Sequence, residues 1–391
     1  MIKPGLHTTL FGRRFPRFVF LGALGFIVGM LTGIVLCYPL HLQAWVVLVM
    51  SATGAACFFM LAFLAKAITG HETIVYYHHE ITIVLMCVLV LHLLRLPVLH
   101  YLDLAIIGIG IFLAFGRIGC YSVGCCHGRP TRRGVCYGQT HVDAGFTAYY
   151  RNVPLLPVPL IESVFVLVAV CTSIVLLLRG TAPGAVLLCY TILYGTMRYT
   201  LEFFRGDPER PYWLGLSEAQ WTTLILLAVT LGLGLAGVLP VYAAHVVVFA
   251  LMVATSLFIA LYYRHRPRFR LSRARSISQL AGALDALKVR SRKTNDLPDV
   301  YTTGDALCIS LGSHVQEGES ILHYTISLKG EELTPAEARR VARQISAIEH
   351  LSPVFEIRSR PDGVYHILYT NGHEHTKNEK PAGRHKTALS L

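Results

Sequence analysis

Four long apolar runs without Asp, Glu, Lys or Arg constrain this 391-residue chain more than any other feature. They cover residues 18–38, 44–65, 224–239 and 241–263. A hydrocarbon core about 30 Å thick requires roughly 20 apolar residues in a helix, and the third run reaches that length if it begins near Ala219. Charged residues make up 15% of the chain, compared with about 25% in soluble domains. The sequence therefore predicts an all-α polytopic membrane protein.

Four further segments are apolar but interrupted, and they bring the predicted number of transmembrane helices to about eight. These segments are residues 81–94, 98–115, 155–178 and 183–201. The first is short, and the other three contain Asp103, Glu162 and Arg198 respectively. Ionisable groups inside a membrane are costly and mark candidate functional residues.

The first apolar run is interpreted as a retained helix rather than a cleaved signal peptide. Three arginines lie between residues 13 and 17, but the run is longer than the apolar core of a signal peptide and no small-residue cleavage site follows it promptly. Gly25, Gly29 and Gly33 are spaced by four residues. This spacing predicts close packing against another helix.

A change in composition after residue 263 predicts a second, soluble part. We predict a transmembrane domain at 1–263, a basic linker at 264–302, a small α/β module at 303–372 and a disordered tail at 373–391. The linker begins RHRPRFRLSRARS, which is typical of a segment that faces anionic lipid or fixes topology, rather than of a nucleic-acid site.

The α/β module is predicted from strand and helix patterns. ALCISL and ILHYTISL are typical of strands. Thr334, Pro335 and Glu337 fit the start of a helix with a capping box. The segment that follows resembles a hairpin turning at Asp362 and Gly363. Because no catalytic constellation is evident there, we predict a regulatory or partner-binding role.

Several charged residues fall within or beside the predicted spans. Arg198, Glu202 and Arg205 are spaced i, i+4, i+7 and would share one helix face. They predict either an ion-paired stripe or a phosphate clamp, since guanidinium groups bind phosphate in bidentate fashion. Glu162 is either an ion-pair partner or an acid or base. Asp103 is expected to be structural, near a helix start.

A polar cluster precedes the third predicted span. It consists of Tyr76, Tyr77, His78, His79 and Glu80. Tyrosine is common at membrane interfaces, whereas histidine titrates near neutrality and suits proton transfer. The pattern leaves both an interfacial and a catalytic role open for the two histidines.

The stretch FGRIGCYSVGCCHGRP, residues 115–130, concentrates glycine, arginine and cysteine. The potential metal ligands in and after it are Cys120, Cys125, Cys126, His127, Cys136 and His141. Because the spacing contains no C-x₂-C pair, we predict no metal site. A cysteine nucleophile activated by His127 or Arg129, and cysteines packed beside glycines, both remain open.

These motifs resemble the prolipoprotein diacylglyceryl transferase family. The family signature GR-[IL]-G-N-F-x-N-G-E-x-x-G resembles residues 116–128, and Y-G-x-x-R-x-x-x-E-F-F-R resembles residues 194–205. The family's H-P-S-Q-L-Y-E stretch is echoed by VPLIE, which keeps Glu162, and its H-G-G motif has a counterpart at His78 or His79. The resemblance covers roughly residues 75–230.

The resemblance implies a bacterial inner-membrane enzyme that moves diacylglyceryl from phosphatidylglycerol, or a similar anionic phospholipid, to a cysteine thiol and needs no cofactor. It implies catalytic roles for His78, His79 and Glu162. The implied substrate-binding residues are Arg117, Gly119, Cys120, Gly124, Gly128, Arg198, Glu202 and Arg205. Since the signature Asn and Glu are Cys120 and Cys125 here, another lipid, a sugar or a small alcohol stays open as the acceptor.

The distribution of positive charge predicts topology. The net charge is +12, and with eight helices only Arg95 and Arg179 lie on the outer side. This predicts a cytoplasmic signature loop and C-terminal module, whereas the resemblance implies a site on the opposite face. Two other functions remain open: a non-catalytic phospholipid sensor, and a thiol-redox or metal protein centred on Cys120, Cys125, Cys126 and Cys136.

Overall fold

The computed structural model describes most of the chain as two compact units, Met1–Gly282 and Ala283–Leu391. The described residues are 4–70, 75–207, 212–265, 274–291, 299–316, 319–351, 355–360 and 363–370. The predicted disordered tail and Asp362 lie outside these ranges. The four-part domain division given above stays a prediction.

The first unit is a bundle of helices. Its helices are α1 (Arg17–Cys37), α2 (Ala44–Thr69), α3 (Tyr76–Leu93), α4 (Val98–Val123), α5 (Gln139–Asp143), α6 (Val158–Leu178), α7 (Ala185–Leu201), α8 (Glu218–Leu235) and α9 (Ala243–His265). Short strands flank them, namely β1 (His7–Leu10), β2 (Arg13–Pro16), β3 (Pro130–Val135), β4 (Tyr212–Trp213) and β5 (Leu216–Ser217).

The predicted membrane class is confirmed. Among the described residues, seven helices are long and apolar enough to cross a membrane: α1, α2, α3, α4, α6, α8 and α9. The remaining predicted span is α7, which has 17 residues and contains Arg198. The apolar runs of the sequence therefore mark the helices α1 to α4 and α6 to α9.

Helix α1 packs against α4 through the glycines of its GxxxG pattern. A Cβ atom added to Gly29 would lie 2.8 Å from the carbonyl oxygen of Gly108, and one added to Gly25 would lie 2.7 Å from Cβ of Phe115. Such distances exclude any side chain, because real Cβ atoms do not approach other atoms so closely. The predicted close packing is confirmed.

Asp103 joins α4 to the beginning of α7. Its Oδ2 accepts a hydrogen bond from the backbone N–H of Gly184 at 2.8 Å, and its Oδ1 accepts one from Leu187 at 2.8 Å. These are donors that a helix N-terminus leaves without partners, and a carboxylate there also meets the helix dipole favourably. Asp103 is therefore structural, although the helix start that it stabilises belongs to α7 rather than to its own helix.

Helix α4 continues beyond the end predicted from the sequence. The apolar pattern ends at residue 115, whereas the helix ends at Val123 and is followed by Gly124 with a φ of 86°. Arg117, Gly119 and Cys120 thus lie on the last two turns of a helix and not in a loop. Glycine is tolerated at position 119 because its bare backbone packs against the Phe18 ring of α1.

The described part of the second unit contains a five-stranded antiparallel sheet, one complete helix and the second half of another. The elements after α9 are α10 (Ala274–Ser291), β6 (Val300–Thr302), β7 (Leu307–Gln316), β8 (Glu319–Leu328), α11 (Pro335–Glu349), β9 (Glu356–Ser359) and β10 (Tyr365–Thr370). The strand order is β6-β7-β8-β10-β9, and every neighbouring pair is antiparallel. The predicted α/β module is confirmed, whereas α10 lies within the predicted linker and was not expected.

The helix of this module begins as the sequence predicts. The Thr334 side chain accepts a hydrogen bond from the N–H of Glu337, whose carboxylate accepts one from the N–H of Thr334. This is the reciprocal capping box. The buried apolar residues of the module include Ile309, Ile326, Val341, Ile345 and Ile367.

Candidate functional site

A buried carboxylate on α6 organises the polar centre of the helical unit. Glu162 has a relative exposure of 0%. Its Oε2 lies 3.1 Å from Nε of Arg117, and its Oε1 lies 3.8 Å from Nε of Arg198. The structure therefore brings together three residues that are far apart in sequence and come from α4, α6 and α7. Charges buried in this way are tolerated only when they are paired.

A cluster of tyrosines from α3 and α7 lies beside this carboxylate. The hydroxyl of Tyr194 donates a hydrogen bond to Oε1 of Glu162 at 3.2 Å. Its ring lies against Tyr76, Tyr77 and Tyr190, with centroid distances of 5.4, 5.9 and 5.8 Å. The beginnings of α3 and α6 and the end of α7 thus meet, and the site lies at one end of the bundle.

The prediction of one helix face shared by Arg198, Glu202 and Arg205 is only partly correct. Nη1 of Arg198 lies 2.8 Å from Oε2 of Glu202. However, α7 ends at Leu201, and Glu202–Phe204 form a 3₁₀ turn. The tighter turn places Arg205 beyond the helix, where its Nε and Nη2 donate to the two carboxylate oxygens of Asp207 at 2.7 and 2.9 Å. Arg205 is nonetheless buried, with an exposure of 1%.

Backbone hydrogen bonds hold the loop after α4 against this segment. The N–H of Gly206 donates to the carbonyl of His127 at 2.9 Å, and the N–H of Gly128 donates to Leu156 at 2.9 Å. A Cβ atom at Gly128 would lie 2.6 Å from the carbonyl oxygen of Leu156, and one at Gly206 would lie 2.3 Å from that of Gly128. Glycine at these two positions lets three chain segments approach closely.

A fourth arginine completes the centre. Nε of Arg129 donates to the carbonyl oxygen of Arg205 at 3.3 Å. The guanidinium groups belong to Arg117, Arg129, Arg198 and Arg205, and the carboxylates belong to Glu162, Glu202 and Asp207. The side chains of Arg117, Arg198 and Arg205 are buried. Guanidinium groups in such a place bind an anion well, because low-dielectric surroundings strengthen the attraction.

The two candidate histidines differ in their surroundings. Nε2 of His78 lies 2.9 Å from a carboxylate oxygen of Glu218, and both side chains are exposed. His79 is buried beside the ring of Phe58, and its Nδ1 lies 3.0 Å from the carbonyl oxygen of Val75. A carbonyl only accepts, so Nδ1 carries the hydrogen. Nε2 of His79 then bears the lone pair, and it has no hydrogen-bond partner within the described residues.

The cysteines of the stretch separate into two groups. The Sγ atoms of Cys120, Cys125 and Cys126 all lie within 4.8 Å of one another, whereas Cys136 is exposed after β3. His127 is buried, and its Nδ1 donates to the carbonyl oxygen of Gly128 at 2.9 Å. Burial lowers the pKa of His127 from its ordinary value, because an apolar environment disfavours the charged imidazolium.

The sequence analysis assigns no phosphate-binding or positioning role to several residues of this region. It names Arg129 as an activator of a cysteine and does not name Asp207, although each lies close in sequence to a residue of a family motif. Glu80 is buried on α3, one turn after Tyr76. Glu80 can be recognised from the sequence as an acid in an apolar helix. The positions of Tyr77 and Tyr194 follow from tertiary packing alone.

Comparison with known proteins decides the family. The sequence model described as prolipoprotein diacylglyceryl transferase matches residues 13–236. This chain belongs to the prolipoprotein diacylglyceryl transferase family. The match includes Arg117, Glu162 and Arg198 and all of the helices that carry them. Together with the apolar helices, it makes the chain a multi-pass protein of the bacterial cell membrane.

Relatives with the name phosphatidylglycerol–prolipoprotein diacylglyceryl transferase cover part of the chain. The protein of Clostridium tetani is 31% identical over 132 residues, which are 34% of this chain and 51% of the relative. A protein of Dehalococcoides mccartyi is 32% identical over 134 residues, which are 34% of this chain and 50% of the relative. The protein of Clostridium perfringens with the name ending in transferase 2 is 32% identical over 136 residues, which are 33% of this chain and 49% of the relative. The chain spans about half the length of the curated relatives that it matches.

Proposed function

We propose that this protein is a transferase that moves a diacylglyceryl group from phosphatidylglycerol, or a similar anionic phospholipid, to an acceptor thiol. The observation that carries the proposal is the buried centre in which Arg117 and Arg198 converge on Glu162. Its guanidinium groups are donors that match the anionic oxygens of a phosphodiester. Family membership and the printed names of the relatives support the same reaction.

In this proposal the arginines hold the headgroup phosphate and Glu162 positions them. Guanidinium groups suit this task because their planar donors match phosphate oxygens. Arg205 has a buried Nη1 without a hydrogen-bond partner within the described residues, and it provides a donor beyond its pair with Asp207. Gly119, Cys120, Gly124 and Gly128 shape the surrounding helix end and loop, and Glu202 orients Arg198.

The proposed chemistry is displacement at the glyceryl carbon that carries the phosphate. The acceptor sulfur forms a bond to this carbon while the carbon–oxygen bond breaks, and glycerol phosphate leaves with the bonding electron pair. The phosphate thereby gains a second negative charge, which the arginines stabilise in the transition state. The thiol proton passes to Nε2 of His79. His79 is preferred to His78 because its tautomer leaves a buried lone pair available.

The acceptor in this proposal is the cysteine thiol of a prolipoprotein, as in the names of the relatives. The family signature has Asn and Glu where this chain has Cys120 and Cys125. Those differences lie next to Arg117 on the last turns of α4 and just after it. Because of these differences, the test also includes transfer to a different acceptor, such as another lipid or a small alcohol, as one of its outcomes.

Turnover of headgroup-labelled phosphatidylglycerol tests the proposal. The purified protein in bilayers, supplied with a cysteine-containing lipoprotein peptide, is expected to release labelled glycerol phosphate. Arg117→Ala and Arg198→Ala are expected to abolish release, and His79→Gln is expected to slow it by about 100-fold or more. Arg179→Ala is the matched control, since Arg179 is an exposed arginine after α6. Bound lipid without release in the wild type contradicts a transferase and favours a lipid sensor.

We further infer that the site and the C-terminal module face the cytoplasm. The hydroxyls of Tyr150, in the loop between α4 and α6, and Ser278, after α9, are 3.4 Å apart. The first turns of α10 thus lie at the end of the bundle that carries the site. The positive-inside pattern supports a cytoplasmic assignment for that end. Maleimide labelling of exposed Cys136 in intact cells checks it: reaction with an impermeant reagent contradicts the inference.

A further inference from the structure

A group of three thiols lies beside the arginine centre, and the proposed transfer uses none of its sulfur atoms. Cys120 lies on the last turn of α4, and the helix ends at Gly124 with a φ of 86°. Cys126 also has a positive φ, 58°. These two left-handed residues turn the chain back, so that Cys125 and Cys126 lie against the helix end. The three Sγ atoms converge as a result, within 4.8 Å of one another.

The dimensions of this group suit a single metal ion. A metal–sulfur bond of about 2.3 Å places ligand sulfurs about 3.8 Å apart in tetrahedral geometry and about 4.0 Å apart in a trigonal plane. Separations of up to 4.8 Å therefore require small side-chain rotations only. Cys125 is exposed, so its side chain has room to rotate and an ion has a path of entry.

The end of α4 also favours a cation at this place. The Sγ of Cys125 lies 3.8 Å from the carbonyl oxygen of Cys120, on the last turn of the helix. The C-terminal end of a helix dipole is negative and favours a cation. The helix end and the three converging sulfurs together suit a metal cation.

We propose that Cys120, Cys125 and Cys126 form a binding site for one thiophilic metal ion, with Cu(I) preferred over Zn(II). Three sulfur ligands are a soft donor set, which favours Cu(I), whereas structural zinc sites use four protein ligands. The sequence spacing argued against a metal because it lacks a C-x₂-C pair. The fold supplies the missing proximity. Bound metal would tie the last turn of α4 to the loop that carries Gly128.

Metal binding by the full-length, reduced protein in detergent tests this site without any lipid substrate. Cu(I) is supplied from a chelator of known affinity, and Zn(II) is titrated separately. We expect about one Cu(I) per chain and a thiolate-to-copper charge-transfer band. Cys125→Ser and Cys126→Ser are each expected to weaken Cu(I) binding by about tenfold or more. Cys136→Ser is the matched control and is expected to bind as the wild type does.

Three results overturn the proposal. They are wild-type protein that binds no stoichiometric Cu(I), binding that survives both cluster substitutions, and binding of Zn(II) in preference to Cu(I). Thermal unfolding of the metal-free variants separates loss of ligand from loss of fold. In a Cys136→Ser background, Cu(I) is also expected to slow alkylation of Cys125, and an unchanged alkylation rate counts against the site.

Discussion

Two arginine–carboxylate pairs in this chain have the same chemistry and opposite surroundings. In the helical unit, Arg117 and Glu162 are 3.1 Å apart with side-chain exposures of 8% and 0%. In the C-terminal module, Arg358 and Glu356 are 2.8 Å apart with exposures of 67% and 57%. Distance alone makes the second pair look stronger. Burial nevertheless makes the first pair the more costly one to break. Removal of one partner leaves an unpaired and unsolvated charge only where water is absent.

The largest expected effect comes from breaking the buried pair. Glu162→Ala leaves Arg117 and Arg198 without their shared carboxylate, which is expected to destabilise the protein by about 3–5 kcal/mol. Transfer activity should be lost as well, because the arginines are no longer positioned. Equilibrium unfolding in mixed detergent micelles measures the first effect. A Glu162→Ala protein with wild-type stability would show that the buried centre is hydrated or otherwise compensated.

The next effect tests the close approach of three backbone segments at the same site. Gly206→Ala places a Cβ atom 2.3 Å from the carbonyl oxygen of Gly128, and the required shift is expected to cost about 1–3 kcal/mol. Gly232→Ala in α8 is the matched control, since no atom lies within 4 Å of the added Cβ. The two substitutions should change the unfolding midpoint by different amounts or in opposite directions. Equal changes contradict the close contact.

A smaller effect is expected at the opposite end of the bundle. Asp103→Ala removes both acceptors at the start of α7 and is expected to cost about 1–2 kcal/mol, as for other helix caps. Asp103→Asn keeps one acceptor oxygen and should recover part of that loss. The same unfolding assay distinguishes the two variants. If Asp103→Ala leaves transfer activity intact in the folded protein, the structural role is supported, whereas selective loss of activity argues for a catalytic one.

The smallest effect is expected for the exposed pair. Arg358→Ala should leave the thermal midpoint of the protein unchanged within error, because exposed ion pairs are screened by water and salt. Its measurement is the direct counterpart of the Glu162 experiment. A clear loss of stability in Arg358→Ala would mean that exposure does not determine how much each pair contributes to stability.

The sequence predicted the parts of this fold that follow from periodicity and length. Every long apolar run became a helix, and the capping box at Thr334 and Glu337 formed as expected. The end of α4 was placed too early because Gly116 and Gly119 look like loop residues. In the bundle Gly119 packs against Phe18, so tertiary contact overrides the low helix propensity of glycine.

The candidate site was predictable in composition but not in geometry. The motif residues Arg117, Glu162 and Arg198 were selected from the sequence, and the structure brings them together. The choice between His78 and His79 depended on which side of α3 faces the bundle interior, and no local pattern fixes that rotation. Convergence of the cysteines likewise depended on a left-handed turn after α4. Roles for all of these residues stay predictions until the variants are assayed.

The glycine contact between α1 and α4 also restricts the route by which a lipid substrate enters. Backbone meets backbone at Gly29 and Gly108, which closes that flank of α4 to an acyl chain. The interface between α4 and α6 is also closely packed, since the hydroxyl of Ser163 on α6 donates to the carbonyl oxygen of Ala114 on α4 at 2.9 Å. A phospholipid diffusing in the bilayer must therefore approach Arg117 through a different seam of the bundle than α1–α4 or α4–α6.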